Sequence, residues 1–182
     1  MDLDSNIFNV SIPEEANINL EETLIFYFDL ETTGLSPLLN EVTQIALLSQ
    51  CAKFSVYVYP SKNIPDKITQ ITGISCRFNK LFYNNKEVAA VEPKFAWDQF
   101  LTFLEQINQP VTLIGHNIVN FDIRMLFAQL EKYNFLPRFL KISVTIIDTL
   151  PLFKSLLPKR KSYKQEALAI DLLGQATLAH NA

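Results

Sequence analysis

Cysteine and histidine are scarce in this chain, with two of each in 182 residues. Cys51 and Cys76 cannot build a disulfide framework, and their spacing with so few histidines does not make a zinc site. Both are expected to be plain thiols in a reducing compartment. Long apolar runs are also missing, so no transmembrane helix and no membrane partner are expected. No basic stretch leads into an apolar one at the start, so no secretory signal is evident, and an intracellular location, cytoplasmic or nuclear, is the expectation. Glycine is down to 4 residues while apolar residues make up 48% and Phe alone contributes 14. That composition belongs to a packed domain and excludes a disordered chain. Positive charge is absent from the first 52 residues, which hold nine acids, whereas residues 53–182 hold sixteen basic residues against ten acids.

What is present begins with Phe28-Asp29-Leu30-Glu31-Thr32-Thr33-Gly34-Leu35. The apolar, aromatic run from Thr23 to Phe28 predicts a buried strand. Side chains alternate along a strand, so Asp29 and Glu31 leave the same face one pleat apart. Two acids at the end of a buried strand repel one another unless a cation offsets them, and hard divalent ions suit oxygen ligands. A second pattern, His116-Asn117-Ile118-Val119-Asn120-Phe121-Asp122, follows the apolar run Val111 to Ile114. Ile123, Leu126, Phe127 and Leu130 then recur at helical spacing, with Asn120 expected as N-cap and Asp122 in the first turn. His116 reads most plainly as a satisfied core histidine.

These two motifs, in this order and on these elements, resemble the DEDD-type, DnaQ-like 3′–5′ exonucleases of the ribonuclease-H fold, in their DEDDh branch. Asp29 and Glu31 match the first exonuclease motif. Asn117, Phe121 and Asp122 match the second, and Ile71-Thr72-Gly73-Ile74 matches the short element between them. The stretch from Leu81 to Leu104 is similar to the three-prime repair exonucleases and to the exonuclease-like region encoded in the PML gene. The resemblance implies two Mg²⁺ or Mn²⁺ ions held by Asp29, Glu31 and Asp122. Thr32, Thr33, Gly34, Leu35 and Asn117 would meet a DNA or RNA 3′ end. Leu178-Ala179-His180-Asn181-Ala182 fits the start of the third motif, which makes His180 the general base. The family's fourth carboxylate would fall three residues beyond Ala182, so the chain as given is expected to hold the first metal weakly and to cleave slowly or not at all, with activity restored by extension.

Within residues 132–164 eight basic residues face one acid, Asp148. Lys159, Arg160, Lys161 and Lys164 form the candidate nucleic-acid patch, since cations beside an acidic metal site would hold a phosphate backbone. A solvated basic surface explains that run about equally well. For organisation, residues 1–22 read as an acidic leader, loose or packed on an edge, and 23–182 as one exonuclease domain cut within its last helix. Strands are expected at Leu24 to Leu30, Glu41 to Gln50 and Lys53 to Tyr59, joined as an antiparallel meander. Residues 60–93 read mostly as loop with a short helix near Asp66 to Ile71. A helix with Trp97, Phe100, Leu101 and Leu104, strands at Val111 to Gly115 and Ile142 to Ile147, and a last helix from a Ser162-x-x-Gln165 capping box to Gly174 complete an α/β, ribonuclease-H-like, five-stranded mixed sheet with helices on both faces. A non-catalytic nucleic-acid- or protein-binding module on the same fold is the alternative function. Oligomeric state is left open by the sequence.

Overall fold

The computed structural model describes residues 22–174. Residues 1–21 of the acidic leader, and His180, lie outside the described residues. In chain order the elements are β1 (Leu24–Thr32), β2 (Val42–Leu48), β3 (Lys53–Val58), α1 (Asp66–Thr72), β4 (Ile74–Arg77), β5 (Lys80–Tyr83), β6 (Lys86–Val88) and β7 (Ala90–Val91). They continue as α2 (Pro93–Gln106), β8 (Val111–Gly115), α3 (Asp122–Lys132), α4 (Leu136–Phe139), β9 (Val144–Asp148), α5 (Thr149–Leu156) and α6 (Gln165–Leu173).

β1, β2 and β3 form the expected antiparallel meander, and β8 and β9 add to the other side of β1 in parallel. The main sheet has the order β7-β3-β2-β1-β8-β9. It therefore holds six strands where five were expected, because Ala90–Val91 pairs in parallel with the edge of β3. A two-residue strand leaves almost no alternation to read. Residues 74–88, expected as loop, instead form a second, three-stranded antiparallel sheet, β4-β5-β6. Cys76 is accordingly in a strand, and both cysteines are free.

One face of the main sheet makes the core. Phe26, Phe28 and Leu30 point to the same side, in rows with Leu47 and Phe54 or with Ile45 and Val56. α2 lays the predicted residues Trp97, Phe100, Leu101 and Leu104 onto them, all buried. The Phe100 ring centroid is 6.1 Å from that of Phe28 and 5.6 Å from that of Trp97. Burying each such side chain contributes about 1.5–3 kcal/mol. α3 adds Ile123, Leu126 and Leu130, while Phe127 is half-buried against Phe139.

Two predicted caps are not made. α3 starts at Asp122 with Phe121 in the cap position and no side-chain bond, and the Asn120 side-chain NH2 donates to Asn117 Oδ1. α6 starts at Gln165 after Lys164, and Ser162 Oγ accepts from the Lys164 amide rather than forming a box. Gly174 does end α6 in the left-handed conformation, as expected. No helix among the described residues is long and apolar enough to cross a membrane.

Candidate active site

Alternation along β1 leaves Asp29 and Glu31 on the face opposite Phe28 and Leu30. The β1–β2 register shifts immediately after Glu31, where Thr32 pairs with Val42, so the ladder is irregular beside the acids. Glu31 is 8% exposed, and Asp122, the first residue of α3, is 7% exposed. A hydrogen bond from the Leu30 amide, between the two β1 acids, to Asp122 Oδ1 (3.1 Å) ties the second motif to the first across 92 residues of sequence.

Burial pushes the Glu31 carboxyl up to about 8, with the neighbouring charges of Asp29 and Asp122 adding to the rise. Asp122 is pushed up to about 7, first by burial and then by Asp29, against the lowering effect of the Leu30 amide bond. Each acid thus feels another, as groups around one space do. Across the sheet Glu31 lies in one row with Gln44 and Tyr57. The Tyr57 phenol is likewise raised by burial, with Tyr83 and Glu31 contributing.

The three acids line one cavity of about 540 Å³ together with Thr32, Gly34, Leu35, His116 and Asn117, and with Ile71 and Thr72 from the intervening element. Gln165 at the start of α6 completes the wall. Gly34 is required by its surroundings: a Cβ there would lie 2.7 Å from the Asn40 amide, whose oxygen is fixed by the Ser36 N–H. Thr33 turns away from the cavity and accepts the Glu41 amide at 3.0 Å, so it holds the loop. Leu35 is 78% exposed at the mouth.

The Asn117 loop is held by a residue that sequence reading passed over. Asp148 ends β9 and accepts from the amides of Asn117 (2.9 Å) and Val119 (3.3 Å), and it caps α5 through Leu150 N (2.9 Å). An Asp after an apolar run with Pro151 in the following turn is a helix-start signal that could have found both Asp148 and α5. His116 is a satisfied histidine, as expected: its ring nitrogens meet Thr149 Oγ1 (3.0 Å) and the Tyr163 carbonyl (2.8 Å). It pins the segment before α6 to the cavity wall.

The basic run is only partly brought to this site. Lys164 lines an adjoining cavity of about 650 Å³ with His116, Asn117 and Gln165. Lys159 and Lys161 are exposed and line neither cavity. Arg160 is a clamp within the fold, bonded to Asp171, Ser162 O and Ala167 O.

No three His, Cys, Asp or Glu side chains among the described residues meet as a ready-made cage for a metal. The donor set nevertheless fits a hard divalent cation: three carboxylates on one open cavity, two of them pushed up, to about 8 and about 7, by burial and by like charges. A cation would remove that repulsion.

The family model described as Exonuclease, of the RNase T type, matches residues 26–182. The chain belongs to this family. Its DEDD-type 3′–5′ exonuclease class is the one expected from the motifs, and divalent-metal dependence is general within it. The PolC-type DNA polymerase III of Streptococcus pneumoniae serotype 2 is 28% identical over 169 residues, covering 88% of this chain and 10% of that protein. The Streptococcus agalactiae serotype III counterpart is 29% identical with the same coverage. The chain thus spans about a tenth of the length of these curated relatives. Among solved structures, E. coli exonuclease I superimposes with a TM-score of 0.70 at 16% identity, covering 88% of this chain and 38% of that one, including a complex with a dT13 oligonucleotide. That likeness shows the ribonuclease-H-like fold.

Proposed function

We propose that this exonuclease-family chain hydrolyses nucleic acids from the 3′ end by DEDDh chemistry, with single-stranded DNA as first substrate. The observation that carries the reading is the convergence of Asp29, Glu31 and Asp122 on one cavity whose mouth is formed by Thr32, Gly34, Leu35 and Asn117. The oligonucleotide complex of the E. coli fold relative supports the choice of substrate.

Asp29, Glu31 and Asp122 would hold two Mg²⁺ or Mn²⁺ ions, which supply charge neutralisation at the phosphodiester and a more acidic water. The remaining steps belong to the chain's own groups. Thr32 commits its hydroxyl to Gly34 O (2.8 Å), so the main chain of this turn is what meets the terminal nucleotide. Leu35 offers an apolar edge to the last base. Asn117, in the left-handed conformation at φ 61° and fixed by Asp148, borders the scissile phosphate from the other side. His180 accepts the proton of the attacking water, a task that suits an imidazole near neutral pH. The 3′ oxygen of the preceding nucleotide leaves, releasing a nucleoside 5′-monophosphate.

Digestion of matched DNA and RNA oligomers with Mn²⁺ tests this, run in parallel on a version extended to carry an acid five residues after His180. A ladder of 5′-labelled products shortening one nucleotide at a time is the expected result. Internal cuts, or shortening from the 5′ end, would overturn the proposal.

A further inference from the structure

The small sheet β4-β5-β6 takes no part in the proposed chemistry, yet the turn at its outer end is built at a disadvantage to the fold. β5 and β6 are joined by Asn84-Asn85, at φ 47° and 64°, and β4 and β5 by Phe78-Asn79, at φ 52° and 57°. Two-residue turns with positive φ favour Asn and Gly, because other side chains are strained there. The Asn84 turn obeys that rule and the Phe78 turn does not. Phe78 is also 95% exposed, so burial does not repay the strain. Folding therefore gives no reason for a Phe at this position.

The outer face of the sheet beyond this turn is basic and aromatic. Register and alternation put Arg77, Lys80 and Phe82 on the outer face of the small sheet. The Arg77 guanidinium lies 4.7 Å from the Phe82 ring centroid and donates to Asn85 Oδ1 at 3.1 Å, so its direction is set. Lys80 pairs with Glu87 at 2.8 Å. The inner face is ordinary core, with Ile74 and Leu81 fully buried. The root of the sheet is at the acidic cavity: Ile71 and Thr72 line it, Gly73 turns the chain into β4, and Tyr83 packs on Tyr57 (6.2 Å), which shares a row with Glu31.

An exposed ring suits stacking on a base, and the guanidinium held over Phe82 on the same sheet suits a phosphate further along the strand. We propose that Phe78, with Arg77, is a stacking finger for the single-stranded nucleic acid whose 3′ end occupies the carboxylate cavity. The assignment rests on the nuclease reading. A polyanion at that cavity makes a nucleic acid, rather than a protein, the occupant that the hairpin's cations favour. Phe78 lies about 13 Å along the strand from Ile74, so a short ester held at the acids would not reach it.

Fluorescence anisotropy with a labelled dT13 oligomer in EDTA tests the finger without cleavage. Phe78→Ala is expected to weaken binding about 5- to 100-fold, and Phe78→Trp to restore it. Phe78→Gly should lose binding equally while raising Tm by about 2–4 °C through release of the turn strain. Hydrolysis of thymidine 5′-(p-nitrophenyl phosphate), too small to span the distance, should be unchanged in all three. Phe78-dependent binding without any cleavage by the extended version would sustain the finger and remove the nuclease reading. Cleavage with dT13 binding within twofold of wild type in Phe78→Ala would overturn the finger, leaving Phe78 to a protein partner.

Discussion

Alternate residues of β1 live in opposite conditions. Phe26, Phe28 and Leu30 are 0%, 3% and 4% exposed against the rings of α2, and each adds to stability. Asp29 and Glu31, one residue out of step, face other acids, and Glu31 is pushed far from its ordinary ionisation range. The same backbone therefore builds the domain with one face and stores electrostatic repulsion on the other. Such repulsion persists where the surrounding structure over-determines the fold, which is how sites prepared for a charged ligand are made.

Breaking the apolar side should give the largest change. Phe28→Ala is expected to lower the unfolding free energy by about 3–5 kcal/mol, read by urea denaturation. Breaking the acidic side should spare the fold and remove the activity: Asp29→Asn is expected to reduce Mn²⁺-dependent cleavage at least about 1000-fold, a barrier increase of about 4 kcal/mol, with unfolding no easier than in wild type. If the two substitutions exchanged their effects, the division of labour along β1 would be wrong.

The contrast sharpens with pH. The folded-state values of Glu31 and Asp122 lie above their ordinary 4.5 and 3.8, so the folded, metal-free protein holds more protons than the unfolded chain. Their contribution is fully present below about pH 4 and is lost as pH rises through about 7 for Asp122 and about 8 for Glu31. Tm in EDTA should fall across that window. Glu31→Gln should flatten the fall and stabilise the protein at pH 9 by on the order of 1–3 kcal/mol. A Tm that climbs over the same range would contradict the shared burial of these acids. The smallest effect belongs to the loop supports: Asp148→Ala removes a cap and two loop amide partners and should cost about 1–2 kcal/mol, with a rise in KM for oligonucleotides as Asn117 loosens.

The acidic face was readable in advance because a period of two needs only a short window, and Asp29 and Glu31 sit at the end of a clean apolar run. Asp122 was readable from its place ahead of Ile123, Leu126 and Leu130, although the cap was not, since the helix begins one residue later, with Phe121 in the cap position. The β4-β5-β6 sheet was hidden by its turns. Asn84-Asn85 reads as loop until Leu81-Phe82-Tyr83 and Lys86-Glu87-Val88 are paired across it, and Phe78 is not a residue that announces a turn. α5 was missed although Asp148 ahead of Pro151 marks its start, and the fold leaves none of its residues fully buried. The role of Arg160 depended on Asp171, eleven residues away on a helix face, which a charge count cannot see.

Thermal titration with Mn²⁺ at pH 8 bears most directly on the convergence of the three acids. Wild type should gain about 5–10 °C in Tm at a hundredfold excess over Kd. That gain should vanish in both Asp29→Asn and Asp122→Asn, although the two residues come from elements 93 positions apart. An undiminished gain in either variant would mean that the cation binds elsewhere and that these carboxylates do not act as one site.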